Sequence, residues 1–348
     1  MYYGPEDVRV EDVPEPEPGP GEVKVRVAYN GLCGTDLHEY FDGPAATPVA
    51  PHPLTGRTLP VILGHEAAGY VEGVGTGVTD LAPGELVVIE PIVSCGRCRY
   101  CADGEHNRCD VLAFHGLSTA GGGLAEHTVV RRSMVHRVPD GLSEQHAAVV
   151  EPLAVAHRAV ARSGARPGQR VAVHGAGPIG IGVFLALRHL GVDAVVVEPG
   201  SHRRDAIGQL GARTVDPSSV DIGEALRQLL DGRDPDVSFE TAGAAASFAA
   251  AVGTTAKGGT LALVASPRQD IGRTLSTLLA RELQVTTSLA YCGDFAPTIE
   301  AMAAGAYPLE GWVTTMPLGR VRRAFDLMRD GSVAKVLIDP RAVVAGGG

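Results

Sequence analysis

Four cysteines fall within fifteen residues, Cys95, Cys98, Cys101 and Cys109, in the polar loop CGRCRYCADGEHNRC. No other stretch restricts the fold as strongly. Four thiolates this close can enclose one tetrahedral cation and leave no position open for a substrate. The spacing therefore reads as a structural zinc site. Disulfides would need an oxidising compartment, and the start MYYGPEDV does not read as a secretory signal. An iron–sulfur cluster prefers a short last gap followed by proline, whereas here the gap is seven residues and Asp110 follows. A closed site of this kind directs attention to a second, open metal site elsewhere in the chain.

At 348 residues the length suggests two domains. No apolar run is long enough to span a bilayer, so no membrane partner is expected. The net charge of −10 opposes nucleic acid, which calls for a basic face. With aromatics at 5%, the core must rest on Val, Leu, Ala and Ile. The cysteine usage fits a reducing cytoplasm.

The chain changes texture near residue 143. Before it, the Pro- and acid-rich segment 1–20 reads as an extended edge or turn, and VKVRVAYN (23–30) alternates like a half-buried strand. Further strand-like runs at 67–74 and 85–93 make this an all-β, barrel-like half. After it, SEQHAAVVEPLAVAHRAVARSG has helical spacing with Ser143 as N-cap. Strand and helix patterns then alternate through DVSFE (236–240), TLALVA (260–265) and QVTTSLA (284–290), the mark of a parallel sheet covered on both faces. Helix-like stretches near 294–304 and 319–329 precede a last strand, AKVLID, and a loose tail, AVVAGGG.

Within RVAVHGAGPIGIGVF, Gly175, Gly177 and Gly180 follow a strand and open a helix. The first allows the tight turn, the second lets a pyrophosphate approach the backbone, and the third lets helix and strand pack closely. With Pro178 and Ile179 they form the expected phosphate-binding turn at a helix N-terminus. Glu198 ends the next strand, eighteen residues past Gly180, where a carboxylate can hold ribose hydroxyls and repel a 2′-phosphate. NAD is thus favoured over NADP, although Arg203 and Arg204 stand close by and an arginine can hold that phosphate. Arg203 is also suited to lie against the adenine.

Potential ligands for a second metal are scattered: Cys33 in GLCGTDLH, His65 and Glu66 in VILGHEAAG, and Glu151 in EPLAVAH. Each alone has an ordinary reading as a buried thiol, a core histidine or a solvated carboxylate. Together they could form an open zinc site, but spacing alone does not bring them together. His52 in HPLTG is a further polar candidate, though a loop histidine before proline is more often structural.

GLCGTDLHEY, the glycine-flanked GHE, the four-cysteine loop, EPLAVAH and GAGPIG stand in the order found in the zinc-dependent medium-chain alcohol dehydrogenases, which the chain resembles over nearly its whole length. HPLTG, the EPI before the cysteine loop, GLS at 116–118 and Glu198-Pro199 are most similar to 2,3-butanediol dehydrogenases, with sorbitol and threonine dehydrogenases as close relatives. The resemblance implies an α/β protein. A GroES-like, β-rich catalytic domain (1–152 and 291–348) would carry two zinc ions, and a doubly wound Rossmann domain (153–290) would bind NAD. It further implies that Cys33, His65 and Glu151 hold the catalytic zinc with Glu66 as a fourth or alternating ligand. Asp36 would orient the ligand imidazole. Thr35 would take a proton from the alcohol and relay it through the ribose to His38. After Tyr291, where relatives often carry arginine, this chain has Cys292.

The expected activity is interconversion of a secondary alcohol, a vicinal diol such as 2,3-butanediol, with its hydroxyketone, in a cytoplasmic homodimer or homotetramer. The alternatives are a polyol, sugar, aminocyclitol or threonine dehydrogenase on the same scaffold, or a non-enzymatic dinucleotide-binding zinc protein.

Overall fold

The computed structural model describes residues 1–265 and 272–342. Residues 343–348 of the AVVAGGG tail lie outside this range. The chain divides into two compact units, Met1–Glu151 with Val313–Gly348, and Pro152–Trp312. Residues 291–312, assigned from sequence to the catalytic half, cluster with the second unit. Asp294 accounts for this, because it bonds His157 at 3.2 Å and Arg158 at 3.3 Å on helix Val150–Ser163.

The first unit is built on a seven-stranded sheet. Its order is Val313–Pro317, Lys335–Asp339, Glu22–Gly31, Glu66–Val74, Leu86–Ile89 and Val135–Arg137, and His127–Arg131 also pairs with Glu22–Gly31. Strand Glu22–Gly31 is central. Val23, Val25 and Val27 are buried on it, as its alternating sequence requires, and it touches the N-terminal, middle and C-terminal parts of the chain. The C-terminal strand reaches it by pairing Leu337 and Ile338 with Gly31 and Asn30. Helix Gly34–Asp42 follows directly and packs Tyr40 on Phe325 with rings stacked at 4.7 Å. Tyr2, Leu32, Val61, Leu63, Phe325 and Ile338 complete the apolar cluster beneath it.

The second unit is a six-stranded parallel sheet ordered Arg213–Val215, Ala194–Val197, Val171–His174, Val237–Glu240, Thr260–Leu263 and Gln284–Thr287. In chain order this is 3-2-1-4-5-6, whose reversal point lies beside the first strand of the unit. Strand Ala194–Val197 is a continuous apolar run, and it and the central strands Val171–His174 and Val237–Glu240 are buried throughout.

One expectation fails in detail. The helix read from Ser143 onward is two helices, Glu144–Ala148 and Val150–Ser163, separated by Val149 at φ −101°, ψ 3°. Ser143 caps the first, accepting from His146 N at 3.2 Å. The break re-aims the chain immediately before Glu151. Among the described residues no helix is long and apolar enough to cross a membrane.

Two histidines are fully enclosed. Burial pushes His115 and His174 down to about 4. His115 is bonded to Thr128 Oγ1 at 2.7 Å, whereas neither ring nitrogen of His174 has a hydrogen-bond partner among the described residues. The unfolded chain takes up these protons near pH 6.5 and the folded one only near pH 4, so stability present above pH 6.5 falls as the pH drops through that window. Each histidine contributes at most ~3.5 kcal/mol to that loss. His174→Val should therefore flatten the decline between pH 6.5 and 4, read as Tm against pH. An unchanged slope would show that His174 does not titrate with unfolding.

Candidate active site and metal centres

Cys95, Cys98, Cys101 and Cys109 place their sulfurs within 4.8 Å of one another. Cys98 Sγ lies 3.5 Å from Cys101 Sγ, and Cys95 Sγ lies 3.9 Å from it. A tetrahedral ion with Zn–S bonds of about 2.3 Å requires sulfur–sulfur edges of about 3.8 Å. The cysteines therefore fit such an ion with little movement. Short helix Arg99–Ala102 and the turn His106–Arg108 hold them, and the backbone N–H of Cys98 donates to Cys95 Sγ at 3.4 Å. Backbone donors at Arg97 and Cys98 pull the Cys95 thiol down to about 6, while burial pushes Cys109 up to about 11. A bound cation would bring all four to the thiolate form.

A second cluster gathers Cys33, His65 and Glu66, with one ligand atom from each within 4.8 Å of the others. Cys33 ends the turn after strand Glu22–Gly31 and caps helix Gly34–Asp42. Asp36, three residues on, accepts from Cys33 N at 2.9 Å and fixes that turn. Its other oxygen stands 3.5 Å from His65 Nδ1, at ion-pair range but long for a hydrogen bond. Burial pushes His65 down, but Asp36 and the Cys33 sulfur outweigh it and hold the imidazole well above its ordinary value. A cation bound by Cys33 and the ring would remove that preference.

The Gly64-His65-Glu66 turn is set by close backbone approach. Gly64 has φ +100°, and a Cβ there would meet Leu124 N at 2.7 Å. Gly123 N and Leu124 N donate to Gly64 O and Leu63 O, so the run Gly121-Gly122-Gly123 clamps this turn from the other side. The sequence reading gave that run no role.

It also missed Lys335. This residue lies on the C-terminal strand, is 1% exposed, donates to Leu32 O at 2.8 Å and pairs with Glu66 Oε2. Glu66 Oε1 is buried with no hydrogen-bond partner among the described residues. A carboxylate held by a cation on one oxygen, with the other unpaired beside a thiol and an imidazole, suits a metal ligand. The donor set of one sulfur, one nitrogen and one oxygen leaves room for substrate at a tetrahedral ion. Glu151, expected in the same set, is buried at the start of helix Val150–Ser163 but does not join the three at this spacing.

Thr35 Oγ1 stands 3.7 Å from Cys33 Sγ. His38, one turn further along the helix, is exposed and bonds Asp42 Oδ2 through Nδ1 at 2.9 Å. His52 is used structurally, through Leu112 O and Leu54 N, both at 3.2 Å.

In the second unit Gly175, Gly177 and Gly180 lie between strand Val171–His174 and helix Pro178–His189 and at the start of that helix. Gly175 has φ +107°, and a Cβ on Gly180 would lie 2.0 Å from Gly175 O. Nothing stands within 4 Å of the Cβ position on Gly177, at the N-cap of helix Pro178–His189, leaving open space at a positive helix end. Glu198 is 4% exposed and accepts from Ala176 N at 2.7 Å and Gly200 N at 2.8 Å, one bond on each oxygen. A carboxylate offers about four acceptor positions, of which these two backbone donors use two. Arg204 is committed to Glu198 O and to Asp216 at 2.9 Å. Arg203 Nε is buried with no partner among the described residues.

Residues 19–140 match the alcohol dehydrogenase GroES-like domain, and residues 178–304 match the zinc-binding dehydrogenase domain. The chain is 34% identical to the (R,R)-butanediol dehydrogenase of Neisseria gonorrhoeae, over 97% of this chain and 98% of that one. It is 31% identical to a sorbitol dehydrogenase of Bacillus subtilis, over 90% and 88%. The crystal structure of the 2R,3R-butanediol dehydrogenase of Bacillus subtilis superposes with a TM-score of 0.91 at 34% identity, covering 98% of each chain. The chain belongs to the zinc-type alcohol dehydrogenase family. It is an oxidoreductase acting on a small-molecule alcohol with zinc and a nicotinamide dinucleotide.

Lys335→Met should expose the importance of the ion pair. Leaving Glu66 buried without its partner costs about 3–5 kcal/mol. Urea unfolding of the chelated protein should show this loss, and adding Glu66→Gln should restore a substantial part of it. Equal stability of wild type and Lys335→Met would mean that Glu66 reaches another cation or is neutral.

Proposed function

We propose that this enzyme interconverts a vicinal diol of the 2,3-butanediol type and its hydroxyketone, with NAD as hydride acceptor. The observation that carries the reading is the Cys33–His65–Glu66 cluster, with Glu66 Oε1 left unpaired and Lys335 behind it. Zinc there would supply a Lewis acid that lowers the pKa of the alcohol. Cys33, His65 and Glu66 would hold it, with Glu151 proposed as a further ligand. Asp36 would keep the His65 ring in place through Nδ1. Thr35 would accept the hydroxyl proton, and His38, exposed one turn further along the helix, would pass it to solvent. Gly175, Gly177, Pro178, Ile179 and Gly180 would cradle the pyrophosphate, Glu198 the ribose, and Arg203 the adenosine end. The two acceptor positions left on Glu198 and the commitment of Arg204 to Asp216 support NAD over NADP.

The likeness to (R,R)-butanediol dehydrogenases favours a diol, and the sorbitol dehydrogenase relatives support a polyol as second reading. Purified enzyme assayed with NAD on 2,3-butanediol, sorbitol, threonine and simple alcohols separates the two; no turnover on the diol would sink the first. Metal analysis should give two zinc ions per chain. Cys33→Ser should keep the structural zinc and lose at least a hundredfold in kcat, because the Lewis acid contributes several kcal/mol. Cys98→Ser should instead lose the structural zinc.

A homo-oligomer would form along strand Gln284–Thr287, the edge of the six-stranded sheet. Val285 is 46% exposed there, and Leu275, Leu279 and Leu289 are exposed nearby in sequence. An unpaired edge with apolar side chains is suited to pairing with a second copy. Val285→Lys should shift the enzyme toward monomer in sedimentation experiments. An unchanged sedimentation coefficient would place any interface elsewhere.

A further inference from the structure

Helix Gly34–Asp42 carries three polar groups on one stripe. Thr35, His38 and Asp42 stand at i, i+3 and i+7 and so share a face. Exposure rises along the stripe. Thr35 is half-buried beside the Cys33 sulfur, the His38 side chain is 47% exposed and that of Asp42 is 54% exposed. His38 Nδ1 is 2.9 Å from Asp42 Oδ2. As an ion pair between exposed side chains one turn apart, this contact contributes little to stability. Its geometric consequence is more specific, because an ionised carboxylate can only accept.

We propose that Asp42 is a positioning residue for proton transfer, fixing His38 as the Nδ1–H tautomer so that Nε2 is the basic nitrogen. This rests on the relay role proposed for His38. With Nδ1–H donated to Asp42, the lone pair of Nε2 accepts the proton released in alcohol oxidation. The imidazolium keeps its Nδ1–H bond to the carboxylate and gives the Nε2 proton to water. One proton enters at Nε2 and one leaves from it, so the ring is restored without a flip. A base oriented by a carboxylate on its far nitrogen is the same logic that serves hydroxyl nucleophiles in acyl transfer.

On this helix and on helix Val321–Arg329 packed against it, Asp36, Glu39, Arg322 and Arg329 are engaged elsewhere; Arg323 and Asp326 are the remaining charged groups of the second helix. Asp36 binds Cys33 N, and Glu39 accepts from the backbone of Ala45, Ala46 and Thr47. Arg329 lies over the Phe41 ring at 4.1 Å, and Arg322 donates to Val8 O. Asp42 is the carboxylate that meets the His38 ring.

The test combines a spectroscopic and a kinetic readout on the zinc-loaded enzyme. Nitrogen-15 shifts of the neutral His38 ring should show the proton on Nδ1 in the wild type, and Asp42→Ala should lose that signature. Asp42→Ala should also lower kcat for alcohol oxidation about tenfold at unchanged KM, part of the 10²–10⁴ that general-base catalysis provides. Asp42→Glu should recover part of the rate. His38→Gln separates the two levels of the argument. If His38→Gln slows turnover while Asp42→Ala changes neither the ring shifts nor kcat, the relay stands and the role of Asp42 is overturned. If His38→Gln leaves kcat unchanged, the relay itself fails and the role of Asp42 fails with it.

Discussion

The ion pair between Lys335 and Glu66 ties the candidate metal site to the far end of the chain. Lys335 arrives on the C-terminal strand, some 270 residues after Glu66. Its stem crosses beneath the turn that carries Cys33, and its ammonium also caps Leu32 O. Both side chains are about 1% exposed, so neither charge can be kept without the other. The pairing of Leu337 and Ile338 with Gly31 and Asn30 brings the lysine into register. Glu66 is thereby presented with one oxygen occupied and the other unpaired, a preorganised half-ligand and not a freely rotating carboxylate.

Backbone crowding does the remaining positioning. A Cβ on Gly31 would lie 2.0 Å from Glu66 Oε2 and 3.0 Å from the Lys335 stem, so the ion pair occupies the space a side chain would take. Gly64, Gly116, Gly122 and Gly123 interlock in the same way, with a Gly116 Cβ 2.0 Å from Gly64 O. His65 is thus fixed through a backbone turn crowded by the backbone of Leu124 and by the Asn30 side chain. That leaves its ring little freedom except to sit between Asp36 and Cys33. The site is stiff because it is built on close-packed main chain.

These same features explain what was legible in the sequence. The four-cysteine loop and the Gly175–Gly180 turn were readable because all their parts are local, and their spacing already encodes the geometry. The break at Val149 was not, since helical periodicity runs through it and only the φ/ψ of one residue marks it. Cys33, His65 and Glu66 could be named one by one, but their convergence depends on sheet pairing between Glu22–Gly31 and Glu66–Val74. Lys335 was hidden in the apolar strand pattern AKVLID, where a lone lysine looks like an edge residue. The triplet Gly121–Gly123 looked like loop composition, and its use became visible only when its partners across the turn were known.

The two metal-type sites differ in what they ask of the protein around them. The four-cysteine site is assembled from neighbouring residues on a polar loop, with backbone N–H groups as its supports. Its four thiols would saturate a tetrahedral ion, which could stabilise the loop but would offer a substrate nothing. The three-ligand site is assembled from distant segments and supported by a buried acid, a buried lysine and glycine-packed turns. On the proposed reading its three donors would leave one position free, and the hydroxyl of Thr35 lies 3.7 Å from the Cys33 sulfur. Organising a loop requires only local spacing, whereas holding an open coordination position against collapse requires long-range packing. On the proposed reading, the more conspicuous sequence motif is therefore the one that would take no part in the chemistry.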